Sequence, residues 1–169
     1  MELKKRKELK KTPADHWFSR CVRERSNWVC EYCEIDHSND RAMLDCSHFV
    51  SRAKLSTRYH PLNAMALCKS CHNELGGGRW GGGNVAEHCA LYDEVFSEED
   101  REVIRLLSWV QFRKHQMHLK DISAHYRSQH REMERIRKEG YIDRLEFEIY
   151  LGNQELYDKE AEIRREVFE

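Results

Sequence analysis

Two Cys-x-x-Cys pairs give this chain its clearest chemical signal. The first pair is Cys30 and Cys33, and the second is Cys68 and Cys71. Four thiolates brought together in this way can hold one tetrahedral Zn²⁺ ion. In a reducing compartment such pairs are metal ligands more often than disulfides. The spacing therefore predicts a structural zinc site that closes the long segment between the pairs.

Three residues in or beside that segment are candidates for hydrolytic chemistry. A neutral imidazole can take a proton from water near pH 7, so His48 is a candidate general base. Asn63 could hold that imidazole through its side-chain carbonyl. His72, directly after the last cysteine, could bind a Mg²⁺-type ion that contacts a phosphate. Each residue alone is commonplace, but their occurrence together in a zinc framework predicts phosphodiester hydrolysis.

The hydrophobic pattern predicts the elements around these residues. Thr12 as the N-cap and Pro13 as the first helical residue predict an N-terminal helix. The apolar stripe of that helix is Trp17, Phe18, Cys21 and Val22. The arginines off this stripe, which we expect to be second-rank contacts to DNA, are Arg20, Arg23 and Arg25.

The segment between the cysteine pairs predicts two strands and a helix. Residues 42–50 have the pattern of a strand, 51–61 form a polar loop and 63–67 a second strand. A helix should follow over 68–75. The order is strand, loop, strand, helix.

The C-terminal half is mostly helical in its pattern. Ser97 marks a helix start, and residues 122–138 form a charged helix that Gly140 should end. The alternation over 144–151 favours a strand, followed by a last helix through Phe168.

Charge is distributed unevenly over the 169 residues, although the net charge is only −1. Residues 1–83 carry 15 Lys/Arg and 10 Asp/Glu, whereas residues 84–169 carry 14 and 20. The basic half contains the candidate site, as expected if that half meets phosphates. The sequence has no apolar run of membrane-spanning length and no secretory pattern, so we expect a cytoplasmic protein.

Basic and aromatic residues near the site are candidates for DNA contacts. They are Arg52, Lys54, Arg58, Arg79 and Trp80. Arg58 could anchor a phosphate or brace its own loop, and we expect His60 at the surface rather than in a metal site. The six glycines around Trp80 form either a flexible linker or a backbone that approaches DNA while Trp80 stacks on an unpaired base.

The residues His48, Asn63 and His72 resemble the signature of the HNH (ββα-metal) endonuclease superfamily, including the separation of nine between the last two. Over residues 12–83 the chain also looks like the phage lambda-type NinG/Rap recombination nucleases. The segments that carry this likeness are WFSRCVRER at 17–25, CEYC at 30–33, SHFVSR at 47–52, TRYHPLN at 57–63 and CKSC at 68–71. That family is associated with structure-specific cleavage of branched recombination intermediates.

The resemblance implies a metal-dependent DNA endonuclease with Mg²⁺ or Mn²⁺ as the catalytic ion. Its products would carry a 5′-phosphate and a 3′-hydroxyl. It also implies a phage-encoded protein acting on DNA inside a bacterial host. The C-terminal region could form a homodimer or meet a protein partner, since paired nicks in a symmetric junction need paired sites.

One position departs from the HNH pattern. Many HNH enzymes have Asp or His directly before the general base, where this chain has Ser47, a poor metal ligand. Asp45 shares a strand face with Ser47 and is a candidate second ligand, as are Glu74 and His88. The alternative function is therefore a non-catalytic, zinc-stapled DNA-binding or assembly module whose HNH site has decayed.

Together these patterns predict an α+β protein with a zinc-stapled ββα-metal core. We expect a basic arm over 1–11, the zinc-bound core with its N-terminal helix and glycine-rich linker over 12–83, and a mainly helical C-terminal region over 84–169.

Overall fold

The structure, a computed structural model, describes residues 9–75 and 84–168. Within these ranges the protein combines helices with a small two-stranded sheet, so the α+β prediction is confirmed. Most of the predicted basic arm lies outside the described residues. The glycine-rich segment, with Arg79 and Trp80, also lies outside them.

The N-terminal helix α1 spans Pro13–Arg25, as its capping signals predict. The backbone N–H of Asp15 donates to Thr12 Oγ1 at 3.3 Å, and the N–H of Thr12 donates to the Asp15 carboxylate at 2.7 Å. This reciprocal capping box satisfies amides that have no partner inside the helix. Phe18 on the predicted apolar stripe is buried.

The sheet consists of β1 (Leu44–His48) and β2 (Ala64–Cys68), paired antiparallel, and the short helix α2 (Lys69–Glu74) follows. The strand–loop–strand–helix order is the predicted one. β1 is shorter than expected because residues Arg41–Met43 form a 3₁₀ turn before it. β2 is buried along its whole length, as expected for a strand covered on both faces.

The C-terminal half contributes four helices among the described residues. They are α3 (Val85–Val95), α4 (Glu98–Leu107), α5 (Leu119–Lys138) and α6 (Gln154–Phe168). The predicted start and stop signals are observed in two of these helices. At the start of α4, Ser97 Oγ accepts from the N–H of Asp100 at 3.1 Å. Gly140, with φ +94°, lies two residues beyond the end of α5. Across the described ranges, none of the helices combines the length and apolar character that a bilayer-spanning segment needs.

The predicted strand over 144–151 is wrong. This segment is extended but forms no ladder, and its link to α1 is a bond from the N–H of Leu145 to the carbonyl of Arg25 at 3.0 Å. A strand needs the free edge of another strand, whereas this segment lies against helices. The alternation correctly indicates that Leu145 and Phe147 are buried.

The main core joins both halves of the chain. Phe18 on α1 packs edge-on against Tyr126 on α5 at 5.1 Å between ring centroids, and against Phe147 at 6.0 Å. The hydroxyl of Tyr126 donates to the carbonyl of Tyr59 at 2.5 Å. The C-terminal half therefore shares the core on which the candidate site is built.

Arg25, in the last turn of α1, is completely buried. Its guanidinium donates to the carbonyls of Pro61 at 3.0 Å and Ala64 at 2.6 Å, and lies 3.4 Å from the carboxylate of Glu31. The expectation that Arg25 contacts DNA is therefore wrong. The guanidinium instead ties α1 to the start of β2.

We expect Arg25→Ala to lower the free energy of unfolding by about 3 kcal/mol or more, because two buried carbonyls and Glu31 lose their partner. Urea denaturation followed by circular dichroism measures this. The exposed Arg105→Ala serves as control and should leave the midpoint unchanged. Equal midpoints for the two variants would show that the buried charge contributes nothing.

Candidate metal centre and hydrolytic site

The four paired cysteines form one cluster. Their sulfur atoms all lie within 4.8 Å of one another, and Cys33 Sγ and Cys68 Sγ are 3.9 Å apart. Four sulfurs around a tetrahedral Zn²⁺, each about 2.3 Å from the ion, are about 3.8 Å apart. The cluster therefore has the size and the donor set to hold a metal ion such as zinc.

Local backbone structure brings these sulfurs together. The first pair sits in a turn that Glu34 completes with a positive φ of 60°. The backbone N–H of Cys68 donates to Cys30 Sγ at 3.2 Å, and that of Cys71 donates to Cys68 Sγ at 3.5 Å. Burial raises the pKa of Cys30 and Cys71, so a bound cation is needed to keep all four sulfurs as thiolates.

We expect purified protein to contain one zinc ion per chain and Cys68→Ser to lose it. Inductively coupled plasma mass spectrometry on the dialysed proteins measures the ratio. Cys89→Ser is the matched control, because Cys89 lies outside the cluster. The zinc-free protein should unfold at lower urea concentration, since metal binding contributes to folding. Full zinc content in Cys68→Ser would contradict the assignment.

His48 ends β1 with one ring nitrogen already engaged. Its Nε2 lies 3.1 Å from the carbonyl oxygen of Arg58. A carbonyl only accepts, so Nε2 carries the hydrogen and Nδ1 keeps a lone pair. Burial lowers the pKa of His48 to about 4, so the imidazole is neutral at pH 7. A neutral imidazole with a fixed tautomer is able to accept a proton.

Asn63 does not hold the imidazole, and that part of the prediction is wrong. Its Oδ1 accepts from the N–H of Val50 at 2.7 Å, and its Nδ2 donates to the carbonyls of Val50 and Thr57, both at 3.0 Å. The amide thus clamps the two ends of the loop that follows β1. It acts on His48 only through this loop, which includes Arg58.

Arg58 braces the loop, which is one of the two roles the sequence left open. Its guanidinium forms two bonds to the carboxylate of Asp15, at 2.9 and 2.7 Å, and both side chains are buried. His60 is buried as well, contrary to the prediction that it lies at the surface. It lies 3.1 Å from the carboxylate of Glu160, because α6 packs over the loop.

Asp45 and His72 meet on the other side of the hairpin. His72 Nδ1 lies 3.3 Å from a carboxylate oxygen of Asp45, and both side chains are partly exposed. The hydrogen bond from His72 lowers the pKa of Asp45, so this carboxylate is ionised at neutral pH. Two residues predicted to hold a divalent cation are therefore neighbours.

The other candidate ligands do not complete a larger set. In the part of the chain that the structure describes, only the four cysteines form a group of three or more possible ligands. Glu74 is exposed. His88 has a buried Nε2 without a hydrogen-bond partner among the described residues, and the charge of His72 adds to burial in lowering its pKa. Two protein ligands suit Mg²⁺, which keeps several waters and takes phosphate oxygens.

Strand β1 separates His48 from the pair formed by Asp45 and His72. Asp45 and Ser47 share one face of β1, while His48, three residues after Asp45, points to the opposite face. Ser47 is almost completely buried, at 1% exposure. A phosphate that contacts both His48 and a cation at Asp45 must therefore lie at the end of the strand.

Basic and aromatic side chains lie in or beside the loop that follows β1. Arg52 donates to the carbonyl of Leu9 at 3.0 Å, and Lys54 lies 5.6 Å from the ring centroid of Trp109. Trp109 is 71% exposed and was not among the predicted DNA contacts, because it follows an apolar helical stripe. Lys11 and Lys69 also act on Asp45, lowering its pKa further after the larger effect of His72.

No family model, curated protein or solved structure matches this chain. The resemblance to HNH and NinG/Rap nucleases stays a prediction from the motifs.

Stability should depend on pH through His48. Its pKa is near 6.5 when unfolded and about 4 when folded, so the unfolded state binds more protons between these values. Stability should therefore fall as pH drops from 6.5 towards 4, by at most about 3 kcal/mol for this group. His130, whose pKa burial also lowers to about 4, acts in the same direction.

Urea unfolding of the native protein, His48→Gln and the exposed control His115→Gln at pH 7 and pH 5 tests this. We expect His48→Gln to lose less stability than the other two on going to pH 5. Identical losses in all three proteins would show that His48 is not held neutral by the fold.

Proposed function

We propose that this protein is a metal-dependent DNA endonuclease of the HNH type that cuts branched recombination or replication intermediates. The contact between Asp45 and His72 carries the proposal. It joins two residues predicted to bind the catalytic ion: Asp45 on β1, the strand that ends in His48, and His72 on α2. The motif resemblance to NinG/Rap nucleases supports the choice of branched DNA.

His48 is the proposed general base. The carbonyl of Arg58 holds Nε2–H, so Nδ1 keeps the lone pair that would accept the proton. The proton of an attacking water passes to Nδ1 while the water oxygen bonds to phosphorus. The bond from phosphorus to the 3′-oxygen breaks and this oxygen takes a proton from solvent water, which leaves a 5′-phosphate and a 3′-hydroxyl. A positioned base of this kind contributes about 10² to 10⁴ in rate.

Asp45 and His72 are the proposed ligands of Mg²⁺ or Mn²⁺. When bound there, the ion would supply positive charge next to the phosphate. The four-cysteine cluster, with structural zinc, fixes Cys68 at the end of β2 and so holds the hairpin against α2. Asn63 and Arg58 position the loop that orients His48.

Ser47 supports the second candidate function, a non-catalytic zinc-stapled DNA-binding or assembly module. This residue stands where many HNH enzymes have a metal ligand, and it is a poor ligand that is almost completely buried. On this reading Asp45 and His72 form an ordinary surface ion pair. The module would bind DNA and leave it intact.

A cleavage assay on labelled DNA with Mg²⁺ or Mn²⁺ distinguishes the nuclease from the non-catalytic module. The substrates are a four-way junction, a splayed duplex, a single strand and a linear duplex. We expect metal-dependent cutting of the branched forms and a rate at least 100-fold lower in His48→Ala, with its zinc content unchanged. Asp45→Asn should raise the Mg²⁺ concentration needed for half-maximal rate.

The exposed His115→Ala is the matched control and should cut at the native rate. Tight DNA binding without cutting under either ion would favour the non-catalytic module. Full activity of His48→Ala would remove this residue from the mechanism.

A further inference from the structure

Trp17, on the side of α1 that meets α5, lies between two arginines. The guanidinium carbons of Arg20 and Arg127 lie 5.6 and 5.2 Å from its ring centroid. Arg20 precedes Arg127 by more than a hundred residues, so the fold and not the local sequence brings them together. At these distances the indole ring attracts each cation.

Trp28, just after α1, is covered in the same manner. The guanidinium carbons of Arg23 and Arg41 lie 5.0 and 4.3 Å from its ring centroid. The indole N–H donates inward to Glu24 at 2.7 Å, so the ring is fixed in place. The two tryptophans and their arginines form one band, the arginine surface, made of Arg20, Arg23, Arg41 and Arg127.

The positive charge of this surface is not neutralised locally. Among residues 9–75 and 84–168, none of its four arginines has a carboxylate within 4.0 Å, whereas the buried Arg25 and Arg58 are both ion-paired. Two carboxylates near this surface serve other groups: Glu24 bonds to Trp28 and lies 3.8 Å from Arg137, and Glu134 lies 3.4 Å from His130.

The pKa values report the mutual repulsion of these arginines. Burial lowers the pKa of Arg23, and the charges of Arg20 and Arg41 lower it further, while Cys46 and Asp45 act in the opposite direction. Partial burial lowers the pKa of His16 on α1, and the charges of Arg20 and Arg23 lower it further. An anion on this surface would relieve that repulsion.

Guanidiniums that lie over aromatic rings are suited to phosphate. Within the described residues the side chains of Arg41 and Arg127 donate no hydrogen bond, so their N–H groups are available. A guanidinium held over an indole gives up little further rotamer freedom on binding. Its fork matches two phosphate oxygens. A protein partner would instead need an apolar centre, and here the two tryptophans are already covered by the chain's own arginines.

The surface continues towards the candidate site. Arg23 donates to the carbonyl of Leu44, the first residue of β1, at 3.3 Å. Arg41 lies in the 3₁₀ turn that leads into the same strand. A nucleic acid lying along this band would run towards Asp45.

We propose that the arginine surface binds the phosphate backbone of the substrate nucleic acid, as a second contact apart from His48, Asp45 and His72. The inference rests on the proposed function for the identity of the nucleic acid. Its role is to hold the part of the substrate that is not being cut, which a branched DNA provides as a further arm.

The test is binding without cleavage. The double variant Arg41→Gln with Arg127→Gln removes two exposed arginines whose side chains form no hydrogen bond within the described residues. The matched control is Arg105→Gln with Arg135→Gln, which removes two exposed arginines that have carboxylate partners. Fluorescence anisotropy with a labelled four-way junction, in buffer without Mg²⁺ or Mn²⁺, gives Kd from 50 to 200 mM salt.

We expect the double variant to raise Kd about 10-fold and to reduce the slope of log K against log salt by about 2, one for each lost phosphate contact. The control should stay within about twofold of the native Kd. A third protein, Arg41→Lys with Arg127→Lys, keeps the charge and loses the planar stack, and should bind with intermediate Kd. It also provides the test if the glutamine pair does not fold.

Native affinity in the glutamine and lysine pairs would overturn the proposal, as would a native protein that binds no nucleic acid. Sedimentation that shows a native dimer, lost only in the glutamine pair, would assign the arginines to a second copy and also overturn it. Cleavage is scored separately. Weaker binding by the variant, with no cutting by the native protein, would keep the arginine surface and reject the nuclease.

Discussion

The buried guanidinium of Arg25 is the constraint on which the rest of this structure depends. Removing the charge of Arg25 from solvent costs several kcal/mol unless the guanidinium finds partners in the protein. Glu31 and the carbonyls of Pro61 and Ala64 provide partners for its two terminal nitrogens. Glu31 follows Cys30 directly, so one buried charge fixes the end of α1, the first cysteine turn and the start of β2 relative to one another.

The loop after β1 shows how such buried polar contacts become a site. Arg58 is held by Asp15 on α1, and Asn63 clamps the loop at Val50 and Thr57. None of these side chains contacts a reacting group. Their combined effect is to place one carbonyl oxygen at His48, which decides the tautomer of the imidazole. The chemistry available to this residue is therefore set by the folding of its neighbours.

The acidic C-terminal half is part of the same unit. Its helix α5 supplies Tyr126 to the main core and Arg127 to the arginine surface. Trp109 likewise reaches Lys54 in the loop after β1. The division of charge along the sequence therefore does not separate the two halves in space. Arg127 from the C-terminal half joins Arg20, Arg23 and Arg41 on the arginine surface, while carboxylates of α4, α5 and α6 pair with arginines of the same helices.

The sequence alone determined the features that a few neighbouring residues encode. The capping box at Thr12, the start at Ser97 and the stop at Gly140 all depend on contacts within a few positions, so their patterns were sufficient. The two cysteine pairs meet across at least 35 positions, and residue type and spacing within each pair were enough to predict that they would. Only the tertiary structure decided the burial of Arg25 and His60, the brace at Arg58, the clamp at Asn63 and the absence of a strand over 144–151. The partners of Arg58 and His60 lie 43 and 100 residues away. Whether a polar side chain meets solvent, an ion or a buried carboxylate depends on which distant segment packs over it, and local sequence does not encode that choice.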